Sequence, residues 1–364
     1  MTSLPETVTV IEEGINQGHH FGAQIAVSLD REPVINTALG MNAPFEPLET
    51  GHLMLWLSAC KPVAAVAIGL LMDRGQIDLD RPVAHWIPEF AAKRKQNITP
   101  RHLLTHTAGI RGGTLGWTPR PWEEAIGVLC ATKPEPHWEP GKQAGYHVDS
   151  AWYMLAELIR VIDGRHYREF VRDDIFLPLE MPDCWVGIPE PEFEKLEDRI
   201  AWIYNTAGDT PEIQDDLCKP ASVIHCRPAG NGRGPASQFL RFYEAMHAMT
   251  RGEDGLLRAE TARDLVAPHR VGMFDRTFRQ TMDWGLGFMR QSDHYAPGEV
   301  PYQFGSHASA DAFGHCGNQS TAAFCDPRHG LCAVVLTNGM PGEEQHQPRM
   351  RRILDTLYLE LGLR

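Results

Sequence analysis

Along most of the chain apolar residues recur with helical or alternating spacing, but one stretch shows neither pattern. From Val63 to Met72 (Val-Ala-Ala-Val-Ala-Ile-Gly-Leu-Leu-Met) every position is apolar or small, so no face is left for water. Its alanine content favours helix over strand. Pro62 fits a first turn, where its missing N–H costs nothing. The pattern therefore predicts one fully buried helix, with Ser58 near its N-cap and Asp73-Arg74-Gly75 as its end.

The remaining elements follow from the same reading. A first helix is predicted over 8–18 with Gly18 as its stop, then strands over 22–29 and 32–38 joined at Asp30-Arg31. Thr99 caps and Pro100 opens a helix that Gly109 terminates. Ala151 to Arg160 is the clearest helix of the middle region, stopped by Gly164. A Pro/Glu-rich link at 188–192 follows. The glycine-rich stretch 230–234 is expected to turn into a helix over 237–249. Strands over 321–325 and 331–337 flank a turn at 326–330, and a helix from Gln347 to Leu361 closes the chain. Strands at both ends with helices between them predict one sheet assembled from the two termini around a helical insertion.

The 364 residues, 43% of them hydrophobic, suffice for a large core or two sub-domains around a cleft. Lys and Arg total 34 against 47 Asp and Glu, a net charge of −13 without long runs, which disfavours nucleic acid and anionic membranes as partners. No apolar run approaches the roughly 20 residues needed to span a bilayer. The start, Met1-Thr2-Ser3-Leu4-Pro5-Glu6, has no basic region followed by an apolar core. Eight cysteines are scattered with no CxxC pair. Together these features predict reduced thiols and a cytoplasmic setting.

Ser58 and Lys61 are three residues apart and share a helix face. A serine hydroxyl is a weak nucleophile until a base takes its proton, and a lysine whose pKa is lowered by burial is such a base. Cys60, two residues from Ser58, points elsewhere and reads as packing. His102 and His106 have zinc spacing, but the acid of HExxH is missing between them, so both read as structural. The same holds for His19-His20.

Several stretches together resemble the serine β-lactamase and penicillin-binding-protein superfamily, in its class C branch with the family VIII esterases, D-aminopeptidases and acyltransferases. Ser58 to Lys61 matches S-x-x-K. Residues 98–110 (ITPRHLLTHTAGI) are similar to I-T-x-x-x-L-L-x-H-T-S-G-[IL]. Trp138-Glu139-Pro140-Gly141 leading to Tyr146 resembles W-x-P-G…Y-x-N, His315-Cys316-Gly317 resembles H-x-G, and Gly285-Leu286-Gly287-Phe288 has a counterpart too. The resemblance implies an α/β (α+β) fold with an antiparallel sheet flanked by helices, made from 1–95 and 226–364, plus a helical insertion domain over 96–225. The cleft between them would hold the site. It implies Ser58 as nucleophile, Lys61 as its partner, Tyr146 as a second base with a pKa lowered by the lysine, and an oxyanion hole from the Ser58 and Asn318 N–H groups. His315, Gly317, Val148 and Trp152 fall at substrate-binding positions. His315 stands where lysine is common and is a weaker carboxylate anchor.

Two departures narrow the chemistry. Val148 replaces the Asn of Y-x-N, which removes an amide contact, and Ser320 replaces a glycine after H-x-G. Both argue against β-lactam hydrolysis and for an ester or thioester donor whose acyl group passes from Ser58 to water, an alcohol or an amine. The alternatives are a D-amino-acid-type peptidase or amidase, a β-lactamase, and a non-catalytic binding member of the fold. No cofactor or metal is implied, and the expected partners are a small-molecule acyl donor and acceptor. Six tryptophans (117, 122, 138, 152, 185 and 202) are candidates for the wall of an apolar acyl pocket.

Overall fold

The computed structural model describes residues 4–364; Met1-Thr2-Ser3, part of the start read above as carrying no export signal, lies outside them. Seven strands form one antiparallel sheet: β1 (Gly22–Leu29), β2 (Glu32–Ala43), β3 (Glu46–Pro47), β4 (Met289–Arg290), β5 (Phe313–Gly317), β6 (Thr321–Asp326) and β7 (Leu331–Thr337). Their spatial order is β4-β5-β6-β7-β1-β2-β3. The first and last parts of the chain therefore meet at the β1–β7 pair, where Ile25 lies opposite Val335. Asp30 and Arg31 turn β1 into β2 with positive φ at both residues, the backbone a two-residue hairpin requires.

Alternation along the central strands feeds two cores. Ile25, Val27, Phe324 and Val335 pack with helix α1 (Pro5–Asn16) and the C-terminal helix α5 (Glu343–Glu360). Ala26, Ala323, Val334 and Leu336 point the other way, into a core shared with α2 (Lys61–Asp73), α3 (Ser150–Asp163) and α4 (Ala236–Thr250). Both faces of the sheet are covered, so its central strands read as apolar runs.

The predicted buried helix is α2, and every residue from Lys61 to Leu71 is buried. Its start differs from expectation. Leu57–Cys60 form a separate 3-10 turn, and Ser58 makes no capping bond. The Lys61 N–H bonds to the Ser58 carbonyl within the turn, and the Ser58 hydroxyl is left for the Lys61 amine. The helix opened by Thr99 and Pro100 stops at Leu104, short of Gly109, because His106 adopts φ +57. The Pro/Glu-rich link is partly helical, Glu190–Leu196, with Pro191 in the first turn. The last helix begins at Glu343 rather than Gln347 and accommodates Pro348 internally.

The glycine stretch 230–234 is not a simple turn. Gly232–Gly234 is the middle strand of a small sheet with Met54–Leu55 and Trp185–Val186. A Cβ on Gly232 would come within 2.5 Å of the Cys60 Cβ, so only glycine lets this strand lie against the turn that carries Ser58. Trp56 anchors the same turn, stacked on Phe239 with ring centroids 3.9 Å apart.

Ile68 lies mid-helix with no exposed surface. Ile68→Ala should lower unfolding stability by about 2–5 kcal/mol through the cavity it leaves. Denaturant unfolding measures this, with KM for any substrate unchanged in the folded fraction.

Candidate active site

The 3-10 turn brings Ser58 to the mouth of a cleft of about 740 Å³ and drives Lys61 into the protein behind it. Leu57 holds φ +50, a costly conformation for a branched residue, fixed by the Trp56 N–H to Gly232 carbonyl bond beside it. Lys61 Nζ lies 2.9 Å from Ser58 Oγ and donates to the Ala229 carbonyl at 2.5 Å. The lysine has no exposed surface, and no carboxylate is ion-paired to it among the described residues. Burial pulls its pKa down to about 7, with Cys60 and Asp149 opposing that shift and Arg227 adding to it.

Tyr146 completes the cluster. Its ring is 5.2 Å from Lys61 Nζ and is packed by His106, Phe278 and Trp284 at centroid distances of 4.6, 4.9 and 5.8 Å. It lines the cleft beside Ser58. Asp275 fixes the loop by accepting from the Tyr146 and Phe278 N–H groups, both at 3.1 Å, and is itself ion-paired to the buried Arg270. The expected low phenol pKa is corrected here: burial pushes it up. In the resting site the proton therefore stays on Tyr146, and the lysine amine is the group that exchanges one near neutrality.

Strand β5 passes directly beneath this turn. A Cβ on Gly317 would lie 2.3 Å from the Trp56 carbonyl oxygen, so the close approach requires glycine. It places Asn318 in the cleft wall with Ser58. Among the described residues neither the Ser58 nor the Asn318 N–H has an acceptor, which leaves two donors for a developing oxyanion.

The other expected binding residues separate into two groups. Val148 is 40% exposed and lines the cleft. His315 faces a smaller recess with Ser58, Met289 and Cys316. Its Nδ1 donates to the Cys316 carbonyl at 2.7 Å, its Nε2 has no partner, and burial holds its pKa down to about 3. It is thus a neutral acceptor and no carboxylate anchor. Trp152, by contrast, is fully buried; its indole lies 5.6 Å from Lys61 Nζ and supports the amine from behind instead of meeting a ligand. Gly317 likewise acts through close packing and does not line the cleft. Of the six tryptophans proposed for the pocket wall, Trp117 alone lines the cleft. Cys60 is buried with its thiol pKa raised by burial, which leaves no rival nucleophile beside Ser58.

Sequence reading missed three contributors. The Ala229 carbonyl holds the amine, and no side-chain motif signals a carbonyl. Asp149 and Arg227 form a buried ion pair close to Lys61, Asp149 also accepting from the Leu115 N–H at 3.1 Å. His106 packs on Tyr146, and its Nδ1 accepts the His147 N–H at 2.9 Å, a placement the threonine–glycine motif around it does not reveal.

A family model described as Beta-lactamase matches residues 8–358. The chain belongs to the β-lactamase family. Esterase EstB of Burkholderia gladioli is 25% identical, with 92% of this chain and 91% of that protein covered. Penicillin-binding protein 4* of Bacillus subtilis is 23% identical over 77% of this chain, and the match spans 62% of that protein's length. Among solved structures, a penicillin-binding protein homolog from Caulobacter crescentus superposes with a TM-score of 0.77 at 26% identity, covering 98% of this chain and 97% of that one. The β-lactamase/transpeptidase-like fold thus extends over the whole chain, and the esterase and penicillin-binding-protein relatives support serine-hydrolase activity.

Within this family site, an uncharged Lys61 is the form able to accept the Ser58 proton. Its neutral fraction falls as pH drops through about 7, so activity should be lost on the acid side of that value. A kcat/KM profile with an acid limb near pH 7 is expected; a limb near pH 5 would show that another group is titrating. Lys61→Arg, which keeps the charge but cannot shed it, should abolish turnover at every pH.

Proposed function

We propose that the protein is a serine esterase-type hydrolase or acyltransferase acting through an acyl-Ser58 intermediate. The observation that carries this is the 2.9 Å contact between Ser58 Oγ and a buried amine with a pKa near 7. As Oγ attacks an ester carbonyl, its proton passes to Lys61 Nζ, and the carbonyl oxygen becomes an oxyanion received by the Ser58 and Asn318 N–H groups. Collapse breaks the C–O bond. The departing alkoxide takes a proton relayed from Lys61 through the Tyr146 hydroxyl. An incoming water or alcohol then attacks the acyl carbonyl and gives its proton back through Tyr146 to Lys61, which protonates Ser58 Oγ as the acyl–Oγ bond breaks.

An ester donor is favoured by what lines the cleft. Val148 offers no hydrogen bond to a substrate amide, His315 is neutral, and Leu57, Trp117, Phe278 and Met340 make much of the wall apolar. One observation supports a second reading, an amidase or peptidase for substrates bearing a carboxylate. Arg279 lines the cleft without an ion-pair partner among the described residues.

A fluorophosphonate probe should label wild type and not Ser58→Ala, and short p-nitrophenyl esters should be turned over at least about 10²-fold faster than D-amino-acid amides. Labelling that persists in Ser58→Ala would remove the serine from the mechanism. If Arg279→Ala raises KM only for carboxylate-bearing substrates and amides are cleaved fastest, the second reading replaces the first.

A further inference from the structure

Away from the cleft, one group of side chains has converging ligand atoms. His247, Cys325 and Cys332 are all buried, and their donor atoms lie within 4.8 Å of one another. Cys325 and Cys332 are direct partners across β6 and β7. Both thiols belong to the core on the α4 side of the sheet, and α4 supplies His247. The histidine is 2% exposed, yet neither ring nitrogen is hydrogen bonded. A buried imidazole with two unmet polar atoms carries a desolvation cost that a ligand would relieve. None of the three residues lines the cleft, and the acyl-transfer chemistry does not use them.

We propose that His247, Cys325 and Cys332 bind a single thiophilic d10 metal ion, Zn²⁺, which ties α4 to the sheet. Ordinary Zn–S and Zn–N bonds of about 2.3 and 2.0 Å place tetrahedral donor atoms roughly 3.5–3.8 Å apart. The three donors, all within 4.8 Å of one another, fill three of the four positions after contracting by at most about an ångström. Charge selects the ion. Two thiolates and a neutral imidazole around Zn²⁺ sum to zero, which suits a core, whereas a monovalent ion leaves a net negative charge one turn from Glu244 of the same helix. On binding, each cysteine loses its S–H proton to solvent and forms an S–Zn bond, with no change of oxidation state. The three ligands come from two neighbouring strands and a distant helix, so their spacing of 247, 325 and 332 carries no zinc signature in the sequence.

The test measures metal on the full chain, purified without chelator from zinc-supplemented cells, by plasma mass spectrometry. About one equivalent of zinc is expected, with a thiolate-to-cobalt charge-transfer band in the near ultraviolet after Co²⁺ exchange. His247→Phe, which fills the space with an apolar ring, and Cys325→Ala should each lose the metal and the band while Ser58 still reacts with fluorophosphonate. Stripping zinc from wild type should lower Tm and leave that labelling intact at room temperature. Folded wild type with less than about a tenth of an equivalent and no cobalt band overturns the proposal. So does metal retained by both variants, or a Cys325–Cys332 disulfide in a non-reduced digest of metal-free protein.

Discussion

The site depends on one amine taken out of water with no counter-charge against it. Lys61 is fully buried, so its proton is held weakly and is exchanged near neutral pH. An amine at its ordinary pKa would be protonated almost completely under the same conditions and unable to accept from serine. Everything around it preserves that state. The helix behind it is apolar on every side, Trp152 closes the rear, and Tyr146 covers the front. The Asp149–Arg227 pair places its two charges together, so their influences on the amine oppose each other.

Burying such a group costs stability, and the fold offsets it with packing of unusually close backbones. Two glycine strands approach the Ser58 turn from different directions, Gly232 against Cys60 and Gly317 against Trp56. Each brings a polar main-chain group to the reaction centre where a side chain would otherwise stand. The first leads in from the Ala229 carbonyl that holds the amine, and the second leads out to the acceptor-free N–H of Asn318 in the cleft wall. A site built from main-chain atoms in this way is stiff and needs no reorganisation as charge develops.

The recess by Ser58 bears on substrate choice. His315 is locked as an Nδ1–H tautomer by its own neighbour's carbonyl, so its unpartnered Nε2 carries a lone pair and no positive charge. A neutral imidazole offers no charge to a carboxylate. The difference from a lysine at that position is one of sign as well as strength.

Much of this was legible in the chain. The all-apolar run 63–72 dictated a buried helix, because no face of it tolerates water, and the S-x-x-K spacing placed Ser58 and Lys61 together on adjoining turns. The apolar runs near the C-terminus dictated strands, and their place at the centre of a sheet covered on both faces came from the tertiary structure. Which group holds the mobile proton was decided only by tertiary structure, since a pKa reports the surroundings and not the residue type. The same is true of Trp152, whose place in a helix next to the motif does not tell whether it faces ligand or lysine. The carbonyl of Ala229, the acceptor-free N–H of Asn318 and the convergence of His247 on two strand cysteines belong to this second class. They arise from segments far apart in sequence, and only the closing of the sheet between the two ends of the chain brings them within bonding distance.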